Sequence, residues 1–204
     1  MIAYASRTGT RRNLKALRSA GWRLMISAKG VLRDEGFAHA LDNGAWSAYC
    51  AKQPFDEAAF LVAYEKFGRT ADFVVLPDIV AGGLDSLQFS LAWRKRLGGS
   101  ACPLLLAVQD DMAPNHVAPL IGPELGVFIG GTAEWKEATM MQWGACARER
   151  GAYLHVGRVN SIRRINLCAA AGAHSFDGSS VSRFAVTLPK LENARQQKDL
   201  FSCV

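Results

Sequence analysis

An α/β fold, closing as a compact TIM-like (β/α)8 barrel with reduced helices, is what the sequence predicts, on three observations. Short apolar runs alternate with segments of helical period, the pattern of strand-helix units around a parallel sheet. Eight such runs can be counted, and eight is the number that closes this kind of barrel. Most of them run into an Asp, a Gln or a Gly pair, as strands do where they deliver polar groups to a barrel mouth. A doubly wound open sheet is the alternative, but the first strand lacks the GxGxxG turn of a dinucleotide site.

The run 2–6 is the first strand, and a basic helix over 11–20 follows it and ends at Gly21. Runs 22–28 and 37–41 are the second and third strands, the latter leading straight into Asp42, and the connection between them is too short for a full helix. After Pro54 a helix over 55–68 turns Phe55, Ala58, Ala59, Val62 and Phe67 inward, and the strand 73–76 ends at Pro77 and Asp78. Gly82 and Gly83 open a helix that reaches Arg96, Gly98 and Gly99 close it, and the strand 104–108 ends at Gln109. A short helix at 116–121 leads to the strand 127–129, which ends at Gly130 and Gly131. Thr132 is a good N-cap for a long helix to about 150, with Glu134 and Glu137 early and Arg148 and Arg150 late, as the helix dipole prefers. The strand 153–156, a helix capped by Asn160 or Ser161 and stopped by Gly172, and the strand 173–176 complete the set. That last strand delivers Asp177 into a turn of Gly178 and two serines, where the backbone can come close to a ligand. The stretch after Pro189 reads as a polar terminal helix or tail, over about 190–204, so that 1–204 forms one domain.

With 50% hydrophobic residues the chain can bury a sizeable core. It has neither a leader-like start nor an apolar run near the ~20 residues of a membrane span, which leads us to expect a soluble cytoplasmic protein with no membrane contact. Its five cysteines (Cys50, Cys102, Cys146, Cys168 and Cys203) are scattered and odd in number, and its four histidines lack ligand spacing. Neither a disulfide framework nor a metal site is expected, and no cofactor. The 24 Lys and Arg against 18 Asp and Glu give a formal charge of +6, which favours a polyanionic partner. Arg7, Arg11, Arg12, Lys15 and Arg18 cluster early; Arg158, Arg163, Arg164 and Lys136 fall at or just past the mouth and are the expected nucleic-acid contacts.

In such a barrel the strand ends are neighbours in space, so Asp42, Asp78, Gln109, Gly130, Gly131 and Asp177 should share one mouth. This set suits recognition of a purine-like base with attack at a sugar carbon. A carboxylate accepts from a ring N–H and an exocyclic amine, while Gln109 and a backbone N–H at the glycine pair donate to a carbonyl. A second carboxylate can act as nucleophile at the anomeric carbon through an oxocarbenium-like transition state. Trp46 and Trp135 lie just past strand ends, where they can stack a base or fill the core. His155 falls inside a strand and reads as a satisfied core histidine.

The ordered segments LDNGAW at 41–46, VVLPDI at 74–79, AVQ at 107–109, FIGGT at 128–132 and SFDGSS at 175–180 resemble the motifs of tRNA-guanine transglycosylases. They are most similar to the DpdA-type branch that places 7-deazaguanines in DNA. The resemblance implies Asp177 as nucleophile, Asp42 as acid and base near the ribose, and Asp78, Gln109, Gly130 and Gly131 around the base. Where the family has Asp-Ser-Gly-Gly-Phe this chain has Asp42-Asn43-Gly44-Ala45-Trp46, and Gly178 replaces the cysteine after the nucleophile. The Pro-Thr-Arg of the tRNA enzymes and their C-terminal zinc site are absent, with Cys203 alone near the end. The implied substrate is therefore DNA rather than tRNA, with a 7-deazaguanine-type base as second substrate. A glycosylase that removes a modified base and a non-catalytic nucleic-acid-binding barrel are the alternatives.

Overall fold

Eight parallel strands pair in sequence order, and the last pairs with the first to close a barrel. They are β1 (Ile2–Ser6), β2 (Arg23–Ser27), β3 (His39–Asp42), β4 (Val74–Val75), β5 (Leu104–Val108), β6 (Leu125–Ile129), β7 (Leu154–Val156) and β8 (Ser175–Gly178). The computed structural model describes residues 1–197; Cys203 and the end of the terminal segment lie outside them.

Every strand obeys the two-residue alternation of a pleated chain, and in a closed sheet that alternation separates two cores. Ala3, Ala5, Leu24, Ile26, Leu41, Val74, Leu104, Leu106, Val108, Val127, Ile129, Leu154, Val156 and Phe176 point outward into the layer beneath the helices. Tyr4, Met25, Ala40, Phe73, Val75, Leu105 and Ala107, with Phe128 and Tyr153, fill the lumen. The lumen is plugged by aromatic rings rather than by the branched aliphatics usual in such barrels. Tyr4 and Phe73 meet edge to face at 5.4 Å, and at the floor the Tyr4 hydroxyl donates to Asp72 (2.9 Å), which also pairs with Arg23 (2.7 Å).

The outer layer is uneven. Helices α1 (Arg11–Ser19), α2 (Ala45–Cys50), α3 (Glu57–Phe67), α4 (Gly83–Arg96), α5 (Pro114–Val117), α6 (Ala133–Glu149), α7 (Ile162–Ala170), α8 (Ser180–Arg183) and α9 (Leu188–Gln196) follow in order. No helix stands between β2 and β3, as the short connection predicts. Between β5 and β6 there is one turn, α5, starting two residues earlier than periodicity suggests because Pro114 suits a first helical position. Caps act where the sequence carries them: the Asp56 carboxylate accepts from Ala59 N–H (3.0 Å), Thr132 from Trp135 N–H (3.3 Å) and Ser161 from Arg164 N–H (3.4 Å). Among the described residues no helix is long and apolar enough to cross a membrane.

Helices α6 and α7 meet closely at Gly144, where an added Cβ would overlap the Ala171 carbonyl oxygen. Gly144→Ala sets about 1 kcal/mol of helix propensity in its favour against an overpacking cost of about 1–3 kcal/mol onto backbone that cannot swing aside. The clash should win. Thermal denaturation is expected to give a midpoint several degrees below the wild type; an unchanged or higher midpoint would show that α7 can shift.

Candidate functional site

The alternation that fills the lumen also decides what crowns it. Two residues above Met25 stands Ser27, above Ala40 stands Asp42, above Ala107 stands Gln109, and above Ser175 stands Asp177. Gly130 and Gly157 occupy the equivalent places past Phe128 and His155. The top of the lumen is thus polar and small where the rest is aromatic. Asp177 belongs to β8 itself, paired in register with Tyr4, and not to the turn beyond the strand where the sequence places it. The strand starts and ends two residues later than its apolar run because β7 pairs with Ser175 and Phe176 and β1 continues the pairing out to Gly178.

One oxygen of Asp177 is fully engaged. Its Oδ1 lies 3.0 Å from His155 Nε2 and accepts the Arg158 backbone N–H at 3.3 Å, while Oδ2 makes no hydrogen bond among the described residues. The side chain is 13% exposed. Asp42 has its carboxyl pushed up to about 7, first by burial and then by the charges of Asp177 and Asp78. The Gly44 N–H, 3.3 Å from Asp42 Oδ2, opposes that rise. So does the Ser27 hydroxyl, in register beside it, although it closes no hydrogen bond of normal geometry there. Asp78 is raised to about 6 by burial, against the pull of an Asn43 amide 2.8 Å away.

Asn43 is the fastener of this side of the mouth, and the sequence reading passes over it. Its buried amide donates to the Leu76 carbonyl (2.6 Å) as well as to Asp78, and its oxygen accepts from Ala45 N–H (2.8 Å). The left-handed turn at Gly44 (φ 83°) permits this, and a Cβ there would press on Lys29. Gln109, also buried, donates to the Ile79 carbonyl at 2.9 Å. Ser86 Oγ accepts from Ile79 N–H (3.0 Å) and Ser90 donates to the Pro77 carbonyl (2.8 Å), so the Asp78 loop is held from three directions. Gly130 N–H continues the sheet to Val108 O (2.8 Å). Gly131 turns with φ 69° under Trp135, and a Cβ would meet Asp110 Oδ2 and the Trp135 ring at 2.7 Å each. Its N–H makes no hydrogen bond among the described residues.

The expected nucleic-acid contacts fare differently. Lys136 is corrected: it is 4% exposed and donates to the Gly157 carbonyl at 2.5 Å, with burial lowering its ammonium to about 8, so it braces the end of β7 and offers nothing to a surface phosphate. Arg163 and Arg164 both pair with Glu137, Arg164 at 2.9 Å, and their charge is partly spent on that carboxylate. Trp135 is half-buried against Trp143 and serves as packing for Gly131. Arg158 adopts a left-handed backbone (φ 57°), donates to the Gly131 carbonyl, and lays its guanidinium 4.1 Å from the centre of the Trp46 ring. It bridges three loops over the site. Trp46 is 44% exposed and stacks on Tyr49 at 5.7 Å, a ring the sequence reading does not single out. Two shallow hollows lie away from the mouth, one beside Leu61, Tyr64 and Ser100 and one beside Leu120 and Pro123. Neither holds a group that could do chemistry comparable to the mouth. Among the described residues no group of three or more His, Cys, Asp or Glu is arranged to hold a metal ion.

The fold and the site define a closed (β/α)8 barrel with three carboxylates at its mouth. No protein-family model matches the chain, and no curated protein is significantly similar to it.

Raised carboxyls have a cost that depends on pH. Asp42 holds its proton in the folded chain up to about 7 but releases it near 3.8 once unfolded, so its contribution to stability is complete below about 4 and is lost as pH rises through 7. Asp42→Asn should therefore flatten the fall in stability between pH 5 and pH 8, and be the more stable protein at pH 8 by roughly 1–3 kcal/mol. Asp78, itself raised to about 6, supplies part of the same fall in both proteins. Denaturant unfolding at the two pH values checks this, and identical pH profiles would refute a raised Asp42.

Proposed function

We propose that this chain is a nucleic-acid base-exchange enzyme, a transglycosylase that displaces a guanine at C1′ through a covalent Asp177 intermediate and inserts a 7-deazaguanine in DNA. The observation that carries the reading is the division of labour among three carboxylates in one mouth. Asp177 has one oxygen fixed by two N–H donors and the other uncommitted, Asp42 is biased toward holding a proton, and Asp78, raised only to about 6, is an ionised acceptor at neutral pH. Carboxylates whose surroundings separate their roles are what acid, base and nucleophile assignments rest on. The motif resemblance supplies the substrate class.

The target nucleotide is first flipped out of its stack, at a cost of a few kcal/mol. Its base lies between Asp78, which accepts from the ring N–H and exocyclic amine, and the Gly131 N–H with the remaining Gln109 amide hydrogen, which donate to its carbonyl. Asp177 Oδ2 attacks C1′ from the face opposite the base. The C1′–N bond breaks, its electron pair leaves with the guanine, and Asp42 gives that base a proton. An incoming 7-deazaguanine returns a proton to Asp42, its nitrogen forms the new bond to C1′, and Asp177 leaves as a carboxylate. A carboxyl near 7 suits both halves of that shuttle. Arg158 must leave Trp46 and Gly131 for the base to enter, which frees an aromatic face for stacking and a guanidinium for phosphate.

The polyanion is held mainly by α1. Arg11, Arg12 and Lys15 are exposed on it, it contains no acidic residue, and as the helix after β1 it begins at the mouth. Reversing Arg11 and Arg12 to Glu should weaken binding to all sequences and reduce its dependence on salt, whereas reversing Arg163 and Arg164, already engaged by Glu137, should do less. Binding titrations at several salt concentrations compare the two. The opposite order would return the phosphate contacts to α7.

The reaction itself is tested by mixing the protein with labelled DNA or tRNA, with and without 7-deazaguanines. Incorporation supports exchange; base release alone identifies a glycosylase; neither, with binding intact, leaves a binding barrel. Asp177→Asn should retain fold and binding but lose turnover and any adduct seen on a denaturing gel, since the amide is nearly isosteric and a poor nucleophile. Wild-type turnover in that variant would remove Asp177 from the chemistry.

A further inference from the structure

Directly beneath Asp177 lies a buried histidine that takes no part in the base-exchange steps. His155 is fully buried in the lumen, with Nδ1 2.7 Å from Ser175 Oγ and Nε2 3.0 Å from Asp177 Oδ1. Its ring is stacked on Phe128 (5.0 Å between centroids, 17° apart) and wedged against Phe73 (4.9 Å) and Tyr4 (5.8 Å). Such packing leaves the ring one orientation. An aliphatic or phenyl side chain would fill this space at no polar cost, since buried ring nitrogens are tolerated only when both are hydrogen-bonded. Both are.

The chemistry of the acceptor fixes the proton. A carboxylate only accepts, so Nε2 must carry the hydrogen. Burial lowers the pKa of His155, outweighing the opposing pull of Asp177, and the ring is neutral. Nδ1 is then an acceptor, and Ser175, fully buried beside it, donates its hydroxyl. The other titratable or charged groups around the ring are Tyr4 on β1, Tyr153 in the lumen just ahead of β7 and Lys136 on α6, whose ammonium also disfavours a charged imidazole.

We infer that His155 is a positioning residue for Asp177, acting through a chain in which Ser175 Oγ–H donates to Nδ1 and Nε2–H donates to Oδ1. This rests on the reading of Asp177 as nucleophile. Together with the Arg158 N–H, the chain fixes the carboxylate plane and leaves Oδ2 as the oxygen presented to the sugar carbon. In the covalent intermediate Oδ1 is the ester carbonyl and keeps both donors. When the second base expels Asp177, the charge returning to Oδ1 meets N–H groups already in place, so no reorganisation is needed.

The test begins with the protein alone, labelled with 15N-histidine. Of its four histidines, the one whose signals vanish in His155→Gln should be a ring that is neutral and protonated at Nε2 at neutral pH, and should titrate below the ordinary histidine range. Asp177→Ala should move its Nε2 signal and Ser175→Ala its Nδ1 signal. A ring protonated at Nδ1, ordinary titration, or an Nε2 signal indifferent to Asp177→Ala would overturn the proposal. Kinetics supply the second arm. His155→Phe keeps the packing and loses the donor, and should lower kcat about 10- to 100-fold with KM little changed. His155→Gln, whose amide can reach the same oxygen, should recover part of the loss. An unaltered kcat in His155→Phe would overturn the positioning role while leaving the nucleophile standing. A wild-type protein with no exchange or base release on any substrate would instead defeat the base-exchange reading, and the tautomer result alone would then decide whether His155 holds Asp177.

Discussion

Three carboxylates in one poorly hydrated mouth repel one another, and much of the surrounding architecture offsets that repulsion. The relief is distributed. Asp177 receives two N–H groups on one oxygen, Asp78 an amide from Asn43, and Asp42 a backbone N–H from Gly44. What these donors leave uncompensated is absorbed by a proton on Asp42, whose carboxyl is pushed up to about 7. Lys136 brings a positive charge in from behind the sheet without entering the mouth, and it is itself held partly discharged by burial. A site so arranged is destabilising by construction, and proteins keep such arrangements where chemistry needs them.

The barrel can bear this because its lower lumen is rigid. Rings of Tyr4, Phe73 and Phe128 close around His155, Tyr153 packs against Phe73, and each aromatic pair adds about 0.5–1.5 kcal/mol beyond the area it buries. The Phe128 ring also explains a glycine. At Gly157 a Cβ would come within 2.6 Å of that ring and 3.4 Å of Asp177 Oδ1, so the position above His155 has no room for a side chain. The plug and the mouth are thus one packing problem, in which ring sizes below set how deep the carboxylate can sit.

Elements and their order are legible in the sequence because apolar runs and punctuation by Gly, Pro and Asp are local signals. Convergence of Asp42, Asp78 and Asp177 follows from strand order alone, since every strand of such a barrel ends at the same face. What is not legible depends on partners far along the chain. Lys136 looks like a surface cation until it meets the Gly157 carbonyl, and Arg163 and Arg164 look free until Glu137 reaches them from α6. His155 reads from the sequence as a satisfied core histidine, because only the β7–β8 register, His155 beside Ser175, brings it against Asp177. The pleat itself carries more than apolar runs reveal: stepping in twos from Ala40 to Asp42 and from Ser175 to Asp177 turns both carboxylates inward, and the same step from Met25 adds Ser27 to the mouth.

Closure joins residues near the start of the chain to residues near its end: Tyr4 pairs with Asp177 and Ala5 with Gly178. Contacts of such long sequence separation form late in folding, since the intervening chain must be ordered before they are rewarded. Asp42 and Asp78 meet at neighbouring strand ends and are tied through Asn43, but Asp177 completes the acidic cluster only with the last strand. A chain folded short of its last strand therefore presents a basic first helix and two of the three aspartates, able to adhere to a polyanion but without the carboxylate that could alter one, and competence appears with the last strand.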